Sequence, residues 1–199
     1  MMYSAENFPD SFTAEDGTVY PIHADFREWV RFESLLNDGD VPENLKLFIA
    51  LRLVFGDNVP EDFNAARDFA LWFYRGGAPL PEPKKDDEDG TYEPEEIPLE
   101  SRRVYDFEYD SEYIFAAFLE QYGIDLSEAR MHWWKFRALF KGLHDCKITE
   151  IMGYRGVEIT DDMPVSRQCF LLDMQDMYEL PVSLAEQRRI EEAQRFLNG

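Results

Sequence analysis

The sequence predicts a mostly α protein made of two helical halves, with a small β-hairpin near the N-terminus and an acidic, proline-rich linker. Apolar residues recur at helical spacing along most of the chain. Two short β-favouring runs flank Glu15, Asp16 and Gly17, a good turn signal. Residues 78–100 hold five prolines and nine acidic residues, a composition that favours an extended, mobile segment. These features divide the chain into residues 1–77, 78–100 and 101–199, with the first and last parts free to form one domain.

The first half is predicted to contain the hairpin, at residues 11–14 and 18–22, followed by three helices. The first helix begins near Ala24 and is expected to turn Glu33 outward. The second, over residues 42–55, is apolar almost all round, which predicts burial on most of its sides. The third begins at Pro60 and ends at two glycines.

The second half is predicted to hold four longer helices and some shorter pieces. The apolar spacing and the breaking residues place the helices at about 110–122, 127–141, 164–178 and 183–197. Between them lie a turn or helix at 147–153 and a possible short strand at 157–159.

The net charge of −21 over 199 residues limits the kind of partner. An acidic protein is repelled by phosphate backbones and anionic lipids, so we expect neither a nucleic-acid nor a membrane partner. The sequence has no apolar run of membrane-spanning length and no secretory leader at its N-terminus. With two cysteines that lack metal-type spacing, these features predict a reduced, cytoplasmic setting.

Motifs for catalysis or cofactor binding are missing from the sequence. It has no phosphate-binding glycine loop. The acidic run 86–90 could form a calcium loop only with Lys85 at the first ligand position, where a cation repels calcium. His144 lies two residues before Cys146, but adjacency in sequence is not catalytic geometry. We therefore predict a protein without enzymatic activity, catalytic residues, metal or cofactor.

One segment is basic against the overall charge, with five basic residues and one acidic residue between residues 129 and 149. Three of the bases are spaced i, i+7 and i+11 on the predicted 127–141 helix, which places them on one face. This face could be simply solvated, could dock an acidic helix or the acidic linker, or could bind nucleic acid by base stacking on tryptophan. The acidity of the chain favours the first two. The predicted partner-binding residues are Arg130, Trp133, Lys135, Arg137 and Lys141.

Several strings together resemble the "gene product fifteen" family of tailed phages and prophages of Gram-positive bacteria. The most specific are Tyr-Gly-Ile-Asp-Leu at residues 122–126 and His-Trp-Trp-Lys-Phe-Arg at residues 132–137. The resemblance covers roughly residues 18–178 and also rests on the strings at residues 20–33, 105–110, 113–118 and 151–155.

The resemblance implies a role in tail assembly. Members are encoded between the major tail protein and the tape-measure protein, and proteins from that position are regarded as tail assembly chaperones. Such a chaperone binds the tape-measure protein in the host bacterial cytoplasm and keeps it soluble while the tail tube forms. The alternative is a structural tail or connector component of the virion. The family has no known catalytic residues to carry over.

Overall fold

A computed structural model describes residues 8–79 and 103–181 of the chain. These residues form a two-stranded sheet and seven helices, which confirms the mostly α prediction. The predicted helix at 183–197 lies outside the described residues, as does the predicted linker apart from its first two residues. The elements are β1 (Ser11–Thr13), β2 (Val19–Pro21), α1 (Phe26–Asn37), α2 (Glu43–Phe55), α3 (Phe63–Tyr74), α4 (Ser111–Tyr122), α5 (Trp133–Lys141), α6 (Lys147–Gly156) and α7 (Val165–Met177).

The β-hairpin forms where the turn signal predicts it. Its strands pair antiparallel, with Phe12 opposite Tyr20. The turn is fixed by Asp16, whose carboxylate accepts the backbone N–H of Thr18 at 2.8 Å. Phe12 packs on Phe69 of α3 with ring centroids 5.0 Å apart and on Phe55 of α2 with centroids 6.0 Å apart, so the hairpin covers one side of these two helices.

Aspartate caps set the start of two helices in the first half. Asp25 accepts the backbone N–H of Arg27, and α1 therefore begins at Phe26. Asp62 accepts the N–H groups of Asn64 and Ala65, both at 3.0 Å. The prediction that α3 begins at Pro60 is wrong by three residues, because this cap overrides the preference of proline for a first helical turn.

Both halves contribute to one aromatic core. Phe26 of α1 stacks on Phe136 of α5 with centroids 4.6 Å apart. The indole N–H of Trp133 donates to the carbonyl of Tyr74 at 2.8 Å. The indole of Trp134 donates to the carbonyl of Phe73, also at 2.8 Å. Large buried rings with their polar atoms satisfied hold the α1–α3 unit against α5.

Helix α5 begins at Trp133, so the prediction of a helix from residue 127 is wrong. The chain before α5 is extended and pairs with the chain before α1, through an antiparallel bridge between Asp25 and His132. The N–H of Phe26 donates to the carbonyl of Met131 at 3.0 Å, and the N–H of Trp133 donates to Ala24 at 2.8 Å. Local periodicity cannot predict this pairing, because the two segments are more than 100 residues apart in the sequence.

Other sequence predictions also need correction. The possible strand at 157–159 does not form; instead the carbonyl of Val157 accepts the side-chain amide of Gln175 at 2.9 Å. The segment at 147–153 is helical and continues to Gly156. Glu33 is buried rather than outward, and α2 keeps one face exposed. None of the helices in the described ranges has the length and hydropathy that spanning a membrane requires.

Candidate functional site

The outer face of α2 is the most apolar exposed helix face of the first half. Leu45 is 49% exposed, Phe48 52% and Ile49 38%. These residues, called the α2 stripe below, are spaced i, i+3 and i+4 and so are neighbours on one face. Scattered apolar residues are normal on a protein surface, whereas adjacent ones mark an interaction site. The prediction that α2 is buried on most sides is therefore wrong.

The opposite face of α2 explains why the α2 stripe stays outward. Ala50, Leu51 and Val54 are buried in the core, each with 5% exposure or less. At the C-terminal end of the stripe, the guanidinium of Arg52 lies 6.0 Å from the ring centroid of Phe48. A helix anchored on one side presents the stripe as a fixed surface with a cation at one edge.

The predicted basic surface is divided by the fold. Arg130 is exposed but precedes α5 in the extended segment, so it does not share a helix face with Arg137 and Lys141. Lys135 is exposed on α5, two residues before Arg137 and therefore on another side of the helix. Arg137 and Lys141 are adjacent at i and i+4, and the charge of Arg137 lowers the pKa of Lys141.

Arg137 is half-buried and belongs to an internal polar cluster. A Cβ added at Gly76 would lie 2.1 Å from a guanidinium nitrogen of Arg137, so the guanidinium rests directly on this glycine. Burial lowers the pKa of Arg137, while Tyr74, Tyr105 and Glu33 act in the opposite direction. The guanidinium of Arg137 therefore interacts mainly with Glu33, Tyr74 and Tyr105 of the same chain.

Glu33 is the centre of that cluster. The hydroxyl of Tyr74 donates to its carboxylate at 2.5 Å, and the nearby hydroxyl of Tyr105 also lowers the pKa of Glu33. Burial raises the pKa of Glu33 above its usual value, against the effect of the two tyrosines and of Arg137. The cluster joins α1, α3, α5 and the segment before α4, and so connects the two halves.

Trp133, the aromatic member of the predicted partner-binding set, is 1% exposed. Its ring stacks on Tyr74 with centroids 5.7 Å apart and lies 5.7 Å from Phe136. A partner cannot reach this side chain in the folded protein. Trp133 supports the fold, and the residues of the set that remain accessible are Arg130, Lys135 and Lys141.

An apolar cavity of about 490 Å³ opens between α1, α4 and α5. Its lining is mainly aromatic and aliphatic, with a serine and an acid at the start of α4. A cavity of this kind accepts bulky apolar side chains rather than polar metabolites. The lining residues include Phe26, Val30, Ile114, Phe115 and Leu126.

His132 has a structural role. Its Nδ1 accepts the N–H of Trp134 at 3.0 Å, and its Nε2 lies 2.9 Å from the carbonyl of Pro9. Both contacts fit a neutral ring that carries its proton on Nε2. Burial lowers the pKa of His132 and favours that neutral form. Within residues 8–79 and 103–181, no three His, Cys, Asp or Glu side chains are grouped to hold a metal ion.

Sequence reasoning missed the α2 stripe because an all-round apolar helix normally lies inside a protein. The available signal was Arg52, seven residues after Leu45, since it puts a charge on the same face as the stripe. A charge at that position marks the face that meets water.

These features define a small helical protein with a core shared by its two halves, an exposed apolar helix face and separate basic side chains. The family model described as Bacteriophage Gp15 protein matches residues 7–180, and the chain belongs to this phage family. The family resemblance seen in the sequence is thereby confirmed. Comparisons with curated proteins and with solved structures found no significant match.

Proposed function

We propose that this phage protein is a non-enzymatic tail assembly chaperone that binds the tape-measure protein in the host cytoplasm. The α2 stripe carries the proposal: Leu45, Phe48 and Ile49 form a fixed apolar face with no partner element over it in the described fold. A chaperone needs such a surface to cover apolar segments of a client. Membership in a phage family supports a phage client.

The α2 stripe fits an apolar helix of the client. In helix-in-groove recognition, the helix places anchor side chains at positions i, i+3 and i+4. The residues of the α2 stripe have this spacing. Phe48 is the expected main anchor, because aromatic side chains supply a large share of binding energy at protein interfaces. The charge of −21 keeps the complex soluble while the apolar faces meet.

The accessible basic residues steer the encounter and contribute less to affinity. Lys135 and Lys141 are exposed on α5, so reversing both to glutamate should slow association and change its salt dependence. Arg137 is unsuitable for such a test, because its removal would also disturb the Glu33 cluster.

Co-expression with tape-measure fragments tests the proposal. Fragments that precipitate alone should stay soluble and co-purify with the wild-type chain. The double variant Leu45→Ser/Phe48→Ser should lose this rescue while keeping its helical circular dichroism, since both side chains are about half exposed. The matched control is Tyr113→Ser/Leu119→Ser on α4. It removes side chains that are 38% and 47% exposed, and the variant should still rescue the fragments.

A structural role in the virion is the competing outcome. A chaperone is expected in infected cells and absent from purified phage. If no fragment is rescued or bound, and the protein is stoichiometric in purified virions, the chaperone proposal is wrong and a tail or connector component takes its place.

A further inference from the structure

Helix α7 turns two glutamines toward the body and leaves several apolar side chains exposed. The side-chain amide of Gln168 donates to the carbonyl of Met163 at 2.9 Å, and that of Gln175 donates to Tyr154 at 3.0 Å and to Val157 at 2.9 Å. Leu171 lies between these glutamines and is the buried residue of α7. Gln168, Leu171 and Gln175, at i, i+3 and i+7, therefore form the inner face.

An exposed row beside the inner face, about a quarter turn around the helix, carries Val165, Cys169 and Leu172, called the α7 stripe below. Val165 is 73% exposed, Leu172 56%, and Cys169 is also exposed. The spacing i, i+4 and i+7 puts them in one row. Because the glutamine hydrogen bonds fix the inner face, the helix cannot turn to bury this row without losing them.

Two features of α7 select a second copy in antiparallel orientation as the occupant. The row continues to Asp176, and the spacings 165–169, 169–172 and 172–176 are four, three and four residues. The order four, three, four is the same from either end of the row. A twofold axis through the middle of the row therefore places Cys169 beside Leu172 of the other copy, and Val165 beside Asp176 of the other copy. An isologous contact requires such self-complementarity.

The charges of the helix favour the same arrangement. No side chain caps the N-terminus of α7, and its first turn carries no acidic residue. Antiparallel packing brings Asp176 to the N-terminal end of the other α7, where the helix dipole stabilises a carboxylate. Parallel packing would instead place the two Asp176 side chains together.

We propose that α7 is a self-association helix, through which two copies of this chain pair antiparallel along the α7 stripe. One pair of 13-residue helices buries less area than a standard interface, so the dimer is weak and its population depends on concentration. Two chains of charge −21 repel each other, and salt should therefore tighten the dimer by screening.

Sedimentation of the full chain across a concentration series, at low and high salt, tests this directly. We expect a monomer–dimer equilibrium that shifts toward dimer with salt. Leu172→Glu should weaken dimerisation by about tenfold or more, because it removes a central contact and adds a charge there. The matched control is Leu119→Glu, which alters an exposed leucine of α4 and should leave the equilibrium unchanged.

Cys169 provides a second measurement. In the antiparallel pair the two Cys169 residues are offset by about 4.5 Å along the axis, with helix axes about 8–10 Å apart. Because both cysteines face the contact, their Cα atoms lie closer together than the helix axes, within reach of a short bismaleimide. Cross-linking should occur in the wild type and in Cys146→Ser, and should be lost in Cys169→Ser.

Three results would overturn the proposal. The chain could stay monomeric at every concentration and salt level tested. It could dimerise with an affinity that Leu172→Glu does not change. Cys169 could also fail to react with a monofunctional maleimide in the folded chain, which would mean that the α7 stripe is already covered within one chain.

Discussion

Asp110 and Glu33 are both buried acids, but the fold surrounds them with different partners. Asp110 has no exposed surface, and Arg155 donates to both of its carboxylate oxygens at 2.6 and 2.9 Å. The same guanidinium also donates to the carbonyls of Tyr178 at 2.6 Å and Val104 at 3.1 Å. Glu33 instead accepts the hydroxyl of Tyr74 and makes no ion pair among the described residues, although the charges of Arg103 and Arg137 act on it.

The comparison separates two ways of burying a carboxylate. At Asp110 a full opposite charge neutralises the acid, and the shared hydrogen bonds connect the segment before α4 with α6 and the end of α7. At Glu33 a tyrosine hydroxyl holds the acid, and burial raises its pKa despite the nearby arginines. In the first arrangement the loss of either partner leaves a buried charge unpaired and is costly, whereas the second makes the contact between the two halves sensitive to pH.

The largest expected effect comes from removing the charge of Asp110. Asp110→Asn leaves the guanidinium of Arg155, 6% exposed, without a counter-charge. We expect a loss of about 3–5 kcal/mol in the free energy of unfolding. Urea unfolding followed by circular dichroism measures it.

A double variant distinguishes charge from packing at this site. Asp110→Leu/Arg155→Met removes both charges and should recover much of the lost stability. Glu120→Ala, an exposed acid on the same helix, is the control and should change stability by no more than about 0.5 kcal/mol. A loss below about 1 kcal/mol in Asp110→Asn would contradict the importance of the ion pair.

An intermediate effect is expected from Tyr74→Phe. The variant removes the hydroxyl that donates to Glu33 at 2.5 Å and leaves the aromatic packing of the ring in place. A hydrogen bond to a charged group contributes about 1.5–3 kcal/mol, and we expect a loss of that order. Tyr109→Phe is the control, since Tyr109 is 54% exposed and should lose almost nothing on thermal unfolding.

The smallest effect, and the one most specific to Glu33, is a change in pH dependence. Burial raises the folded pKa of Glu33 above its value of 4.5 in the unfolded chain. The protonated acid therefore contributes stability that is complete below pH 4.5 and is lost as the pH rises through the folded pKa. Glu33→Gln cannot titrate, so its stability relative to the wild type should rise as the pH increases toward neutral.

Paired urea unfolding curves of wild type and Glu33→Gln between pH 4 and 8 measure this difference. A difference that stays constant with pH, or one that grows in favour of the wild type as the pH rises, would show that Glu33 does not titrate as proposed. Glu28→Gln, which alters a surface pair with Arg31 on the same helix, is the control variant.

Local sequence signals were sufficient where the cause of the structure lies within a few residues. Asp16 and Gly17 make the hairpin turn, and α1, α2, α4 and α7 begin within two residues of the predicted starts. They failed at α5, whose start depends on pairing between His132 and Asp25, more than 100 positions apart. Of the predicted site, Arg130, Lys135 and Lys141 are exposed, whereas Trp133 is buried and Arg137 is half-buried against Gly76.

The sequence alone determined the helical class, the hairpin and the phage family, because periodicity, turn chemistry and motif strings are written in neighbouring residues. Only the tertiary structure decided which apolar faces stay exposed and which charges turn inward. The exposure of the α2 and α7 stripes and the burial of Glu33 all depend on which faces of their helices the neighbouring elements cover. A helix with apolar residues on several faces can bury only the face that its neighbours cover, and those neighbours are distant in sequence.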